Sequence, residues 1–119
     1  MENMKQKIGK WGEQLASDYL AQKGYEIIGR NLRTPHGEID IIAVLDNTLI
    51  FIEVKTRTNK DYGNPEDALT PRKLSHMEAS ALFYIQNNEY NGEWQLDAIS
   101  ILKKSVSPPE IVHFENVVP

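Results

Sequence analysis

The sequence predicts an α/β fold: a central mixed β-sheet with an antiparallel hairpin at its middle, flanked by α-helices. Three observations predict it. Apolar residues recur at helical spacing in two separate segments. Two apolar runs, 38–44 and 48–55, are separated by little more than Asp46-Asn47, a turn signal. The element order is helix, three strands, helix, then one or two strands, within 119 residues expected to form a single domain over 1–119.

The first helix is predicted from Lys5 to Lys23. Ile8, Trp11, Leu15 and Tyr19 fall on one stripe, Leu20 widens it, and Gly24 is a natural stop. Glu13 sits at the edge of this stripe, seven positions before Leu20. Tyr25 to Arg30 reads as a short strand, and Arg33 to Gly37 as a turn. The strands 38–44 and 48–55 follow, then a loop over Asn59 to Pro65. Thr70 is placed to cap a second helix with Pro71 at its first position. Leu74, Met77, Ala81, Leu82 and Ile85 make its apolar stripe, and Asn87-Asn88 ends it. Trp94 to Leu102 reads as a strand, Pro108-Pro109 breaks the chain, and Ile111 to Phe114 is a candidate edge strand.

Composition narrows the chemistry. With no cysteine, disulfides, thiolate metal sites and cysteine nucleophiles are excluded. No apolar run reaches the length of a membrane span, and the first residues lack a signal peptide's apolar stretch, so a cytoplasmic protein with no membrane partner is expected. The net charge of −4 argues mildly against nucleic-acid binding, yet Lys55, Arg57 and Lys60, followed by Arg72 and Lys73, form a local basic patch. His36, His76 and His113 have no metal-ligand spacing and are not expected in catalysis. Gly9 and Gly12 lie within a helix, where they suit close packing better than phosphate binding, and no Gly-x-Ser-x-Gly elbow is present. Trp11 and Trp94 read as core residues.

The hairpin carries the most informative conflict. A two-residue loop at Asp46-Asn47 sets Leu45 against Thr48, so Asp40 would face Glu53 and Glu38 would face Lys55, all on one face. Like charges paired across a ladder are destabilising. One carboxylate must then be protonated, or a cation must sit between them. Mg²⁺ takes oxygen ligands, commonly one or two carboxylates with water and phosphate. Lys55 would stand beside such an ion, where an ammonium can orient a water or stabilise a phosphate. The competing reading is a solvated hairpin face with a surface Glu38–Lys55 pair worth under about 1 kcal/mol.

Asp40, Glu53 and Lys55 resemble the PD-(D/E)xK motif of the restriction-endonuclease-like superfamily. Within it, the chain resembles the small bacterial YraN-like family of predicted nucleases, related to archaeal-type Holliday-junction resolvases. The resemblance covers nearly the whole chain: Gly12-Glu13, Asn31, Arg33, GEIDIIA at 37–43, FIEVKTR at 51–57, Tyr62-Gly63, Pro65, TPRK at 70–73, and Asp97. It implies a restriction-endonuclease-like core and a Mg²⁺- or Mn²⁺-dependent endonuclease acting on DNA, with branched or junction structures as substrate. Asp40, Glu53, the backbone carbonyl of Val54 and Glu13 would hold the metal. Lys55 would position the attacking water. Arg33, Arg57 and Lys73 would contact phosphates. Gln95 departs from the Arg that the family often has before its Phe-Asp, which leaves Asp97 without a clear role. A homodimer would suit a symmetric junction. The alternative is a non-catalytic nucleic-acid-binding module, or an accessory subunit of a DNA repair or uptake complex.

Overall fold

The structure, a computed structural model, describes residues 1–58 and 63–119. Asn59, Lys60, Asp61 and Tyr62 lie outside the described residues. With them go part of the predicted loop, one member of the basic patch and one residue of the family resemblance.

Helix α1 spans Met4–Gln22 and begins one residue earlier than predicted, because Asn3 and Gln6 form a reciprocal capping box. Strands β1 (Glu26–Thr34), β2 (Gly37–Leu45) and β3 (Thr48–Arg57) follow. A short 3₁₀ helix covers Pro65–Ala68, helix α2 spans Pro71–Asn87, and β4 (Glu93–Leu102) and β5 (Glu110–Phe114) complete the chain. Thr70 caps α2 through the amide of Lys73, as its sequence position predicts.

The five strands form one sheet in the order β1-β2-β3-β4-β5. Every neighbouring pair is antiparallel except β3 and β4, which run parallel and are joined through α2. A parallel pair needs such a crossover, and α2 supplies it. The Asp46-Asn47 turn has φ of 48° and 62°, the left-handed pair that a tight hairpin loop requires. Pairing of Leu45 with Thr48 through to Ile41 with Ile52 matches the predicted register.

Two apolar layers enclose the sheet. On one face α1 packs Ala16 and Leu20 against Ile41, Ala43, Ile50, Ile52, Ile99 and Ile101. On the other, α2 packs Leu74, Met77 and Ala81 against Ile39, Ile42, Leu49, Phe51 and Leu96. Trp11 and Trp94 pack against these layers as predicted. Leu82 does not: it is 40% exposed, at the solvent edge of the predicted stripe.

Two strand ends lie more than one residue beyond expectation. The turn predicted over 33–37 contracts to Pro35-His36, since β1 stays paired with β2 as far as Thr34 against Gly37. Strand β3 runs past Lys55 to Arg57, because β4 pairs with it to the end. Both extensions depend on a partner strand, which local sequence does not display.

Helix α1 crosses β3 at Gly12. A Cβ there would lie 1.9 Å from Thr56 Oγ1 and 3.0 Å from Thr56 Cβ, whereas a Cβ at Gly9 would meet nothing within 4 Å. Overpacking costs about 1–3 kcal/mol, against roughly 1 kcal/mol gained by replacing a helical glycine with alanine. Gly12→Ala is therefore expected to lower the urea midpoint while Gly9→Ala raises it. Equal shifts in the two variants would show that the close crossing does not constrain position 12.

Candidate active site

The hairpin ladder does not run to its predicted end. Its last pair is Ile41 with Ile52, and beyond it the carboxylate Oδ2 of Asp40 accepts a hydrogen bond from the backbone N–H of Val54 at 2.8 Å. A side chain thus takes the place of a ladder partner. Asp40 therefore leans toward β3 instead of standing in a simple cross-strand pair with Glu53. Strict alternation also fails here: Ile39 and Ile42 share the α2 layer, while Ile41 and Ala43 face α1. The predicted Glu38–Lys55 pair is replaced for the same reason, and Glu38 lies 3.8 Å from Arg33 instead. A residue's N–H and C=O emerge on the same edge of a strand, so the Val54 carbonyl also faces this gap.

Four carboxylates converge at the gap. Burial raises the half-buried Asp40 carboxyl, followed by the charges of Glu53, Glu13 and Glu38, to about 7, against the lowering effect of the Val54 hydrogen bond. Glu13, reaching in from α1, is also raised, first by burial; Arg30 and an Asn31 hydrogen bond oppose this, while Glu38 and Glu53 add to it. Negative charge crowded onto Asp40 and Glu13 in this way is what a bound cation relieves. The donor set of Asp40, Glu53, Glu13 and the Val54 carbonyl is all oxygen, as Mg²⁺ and Mn²⁺ prefer.

Basic groups surround the acids. Lys55 is exposed and lines two adjoining clefts. The smaller, ≈ 280 Å³, also contains Glu53, Thr70 and Lys73. The larger, ≈ 800 Å³, also contains Glu13, Val54 and Arg57. Lys55 thus stands between the acidic gap and open space large enough for a phosphodiester. The Lys73 ammonium pairs with Glu53 at 2.5 Å, holding positive charge on one of the expected ligands. Arg33 approaches Glu38 from the surface, and Arg57 Nη1 donates to the Gly63 carbonyl at 2.8 Å. The site is electrically mixed: acids inside, cations at the mouth.

Residues 12–101 match the model of a family described as "Uncharacterised protein family UPF0102". The chain belongs to this family. Among its relatives is a UPF0102 protein of Syntrophomonas wolfei, 41% identical over 100 residues, covering 83% of this chain and 87% of the relative. Another, from Alkaliphilus oremlandii, is 38% identical over 118 residues, covering 95% of this chain and 98% of the relative. One from Thermodesulfovibrio yellowstonii is 41% identical over 109 residues, covering 92% and 93%. The UPF0102 family, also called YraN, lies in the restriction-endonuclease-like superfamily, and the five-stranded mixed sheet between two helices agrees with that core. The matched span runs from Gly12, beside Glu13, past Asp97, and ends before His113.

The role left open for Asp97 is resolved in this UPF0102 chain by the C-terminal strand. Asp97 is fully buried on the α1 face. Its Oδ2 lies 2.8 Å from His113 Nε2, and its Oδ1 accepts from Gln95 Nε2 and the Asn116 backbone N–H, each at 2.9 Å. Gln95 therefore serves Asp97. Tyr25, whose hydroxyl is pushed up to about 12 by burial and then by Asp97 and Glu115, donates to Glu115 at 3.4 Å. Asp97, His113 and Glu115 bring ligand atoms within 4.8 Å of one another, a group that could hold a metal ion. Its hydrogen bonds also tie β5 and the following segment to β4. Sequence spacing missed His113 because its partner is 16 positions away and reached only through strand pairing. Among the described residues, no helix is long and apolar enough to cross a membrane.

Proposed function

We propose that this UPF0102 chain is a Mg²⁺- or Mn²⁺-dependent endonuclease that hydrolyses DNA phosphodiester bonds, with branched or junction DNA as the favoured substrate. One observation carries the reading: Asp40, Glu53 and Glu13 converge where the β2–β3 ladder opens, with Lys55 at the mouth of the same gap. Asp40, Glu53, Glu13 and the Val54 carbonyl would hold the ion, which supplies Lewis-acid stabilisation of the phosphoryl oxygens when bound. The chain's own residues do the rest. Val54 N–H fixes the Asp40 carboxylate, so a ligand is preset before substrate arrives. Lys55 orients a water for in-line attack on phosphorus and places positive charge beside the developing negative charge. The bond from water oxygen to phosphorus forms as the bond to the leaving sugar oxygen breaks. Arg57 and Lys73 line the two clefts and Arg33 pairs with Glu38; as phosphate contacts the three would position the strand without reading its sequence. A symmetric junction would be met by a homodimer. The setting is cytoplasmic.

A second reading has one observation in its favour. The Lys73–Glu53 pair neutralises a site acid without any metal, as a non-catalytic nucleic-acid-binding module would require. A cleavage panel separates the two. Four-way junction, flap, linear duplex and single-stranded DNA, with RNA alongside, are incubated in Mg²⁺, Mn²⁺ or EDTA. Wild type should cut in metal only, and Lys55→Ala should cut about 10²–10⁴-fold more slowly. Junction binding in EDTA with no cutting under any condition would favour the binding module.

A further inference from the structure

Asn31 stands in β1 between Arg30 and Leu32, whose partners in β2 are Ile41 and Ile39, so it lies across from Asp40 at the point where alternation fails. Its φ is +54°, a left-handed conformation that asparagine tolerates better than most residues. Carboxylates only accept hydrogen bonds, so the amide nitrogen must face them. In that orientation it donates to Glu13 Oε1 at 2.9 Å and to Glu38 Oε1 at 3.2 Å. One side chain therefore joins an acid from α1 to an acid from β2.

We propose that Asn31 is a positioning residue that bridges Glu13 and Glu38 and holds the Glu13 carboxylate where it can share a divalent cation with Asp40 and Glu53. The inference rests on the metal-dependent reading above. Three features support it. Glu13 sits on a helix and the other acids on strands, so nothing covalent fixes their separation. Arg30, the cation whose charge acts on Glu13, is also engaged elsewhere: its Nη1 donates to Gln14 Oε1 at 2.9 Å. A neutral donor draws two like-charged groups together without adding charge, which aspartate at this position could not do. The left-handed backbone aims the amide at both acids, and local strain held at a functional site is the usual sign of such a role.

The test is Mn²⁺ binding by calorimetry on wild type, Asn31→Gly, Glu13→Gln and the double variant. Glycine adopts φ of +54° freely, so Asn31→Gly removes the amide while keeping the backbone. Affinity is expected to fall by about 10–100-fold, the usual effect of losing a group that orients a ligand. The same change is expected to cost little more once Glu13 is Gln. Wild-type affinity in Asn31→Gly, or an equal loss in both backgrounds, would overturn the proposal. A second variant needs no metal. Asn31→Asp tolerates the same backbone but sets a carboxylate against Glu13 and Glu38, and its metal-free melting temperature at pH 8 should fall by about 4 °C or more. An unchanged temperature would show that no bridge exists. Absence of Mn²⁺ binding by wild type would overturn the metal reading itself. That failure is told apart from failure of the bridge, because the Asn31→Asp shift is read on metal-free protein.

Discussion

Replacing Asp40 with Asn is expected to abolish the rise in melting temperature that Mg²⁺ gives the wild type, and to slow metal-dependent cleavage by at least about 100-fold, since even groups behind the ligands cost 10–100-fold. The same variant should be more stable than wild type when no metal is present. The sign follows from linkage. Folding raises the Asp40 carboxyl from 3.8 to about 7, so the folded state binds a proton that the unfolded chain releases. Stability from this group is complete below about pH 4 and is lost as pH rises through about 7. Metal-free wild type should therefore lose stability across that window, and Asp40→Asn should lose less. At pH 8 the variant's advantage is on the order of 2 kcal/mol, reduced from the full linkage value because Asp40 keeps some contact with water. Mg²⁺ should stabilise wild type more at pH 8 than at pH 5.5, because the ligand must be deprotonated to bind. Thermal melts at several pH values, with and without Mg²⁺, check all of this. A pH-independent melting temperature in metal-free wild type would mean that the acids do not interact as their positions require.

His113→Ala should lower stability by about 3–5 kcal/mol, through a different cause. Asp97 is 0% exposed and the His113 side chain 5%, so removing the imidazole leaves a buried carboxylate oxygen without its partner. Urea denaturation should show the fall directly. The Mg²⁺-induced shift should survive in whatever fraction stays folded, because Asp97 lies in β4 and Asp40 in β2, with β3 between them. If His113→Ala instead removes the metal-induced shift while the fold persists, the ion is held by Asp97, His113 and Glu115, and the assignment to Asp40 and Glu53 fails. The two variants thus separate the Asp40 cluster, which needs a cation, from the Asp97 cluster, which supports the sheet.

Much of the fold was readable along the chain. Helical periodicity placed α1 and α2, Thr70-Pro71 fixed the start of α2, and Asp46-Asn47 fixed the hairpin register over five pairs. These are local signals, each written in a short stretch of residues. The strand ends were not legible, because β1 and β3 extend as far as their partners do.

The site divides in the same way. Sequence alone singled out Asp40, Glu53 and Lys55 as neighbours, since a two-residue turn leaves little freedom over so short a distance. It could not show that the ladder stops at Ile41, that the Asp40 carboxylate takes the Val54 N–H, or that Lys73 reaches back from α2 to Glu53. Nor could it show Asn31 spanning Glu13 and Glu38, or His113 closing on Asp97. Each of these contacts joins different secondary-structure elements or departs from ideal strand geometry. Local periodicity determines which face a side chain takes; only packing helices and strands into one body determines which distant group meets it there.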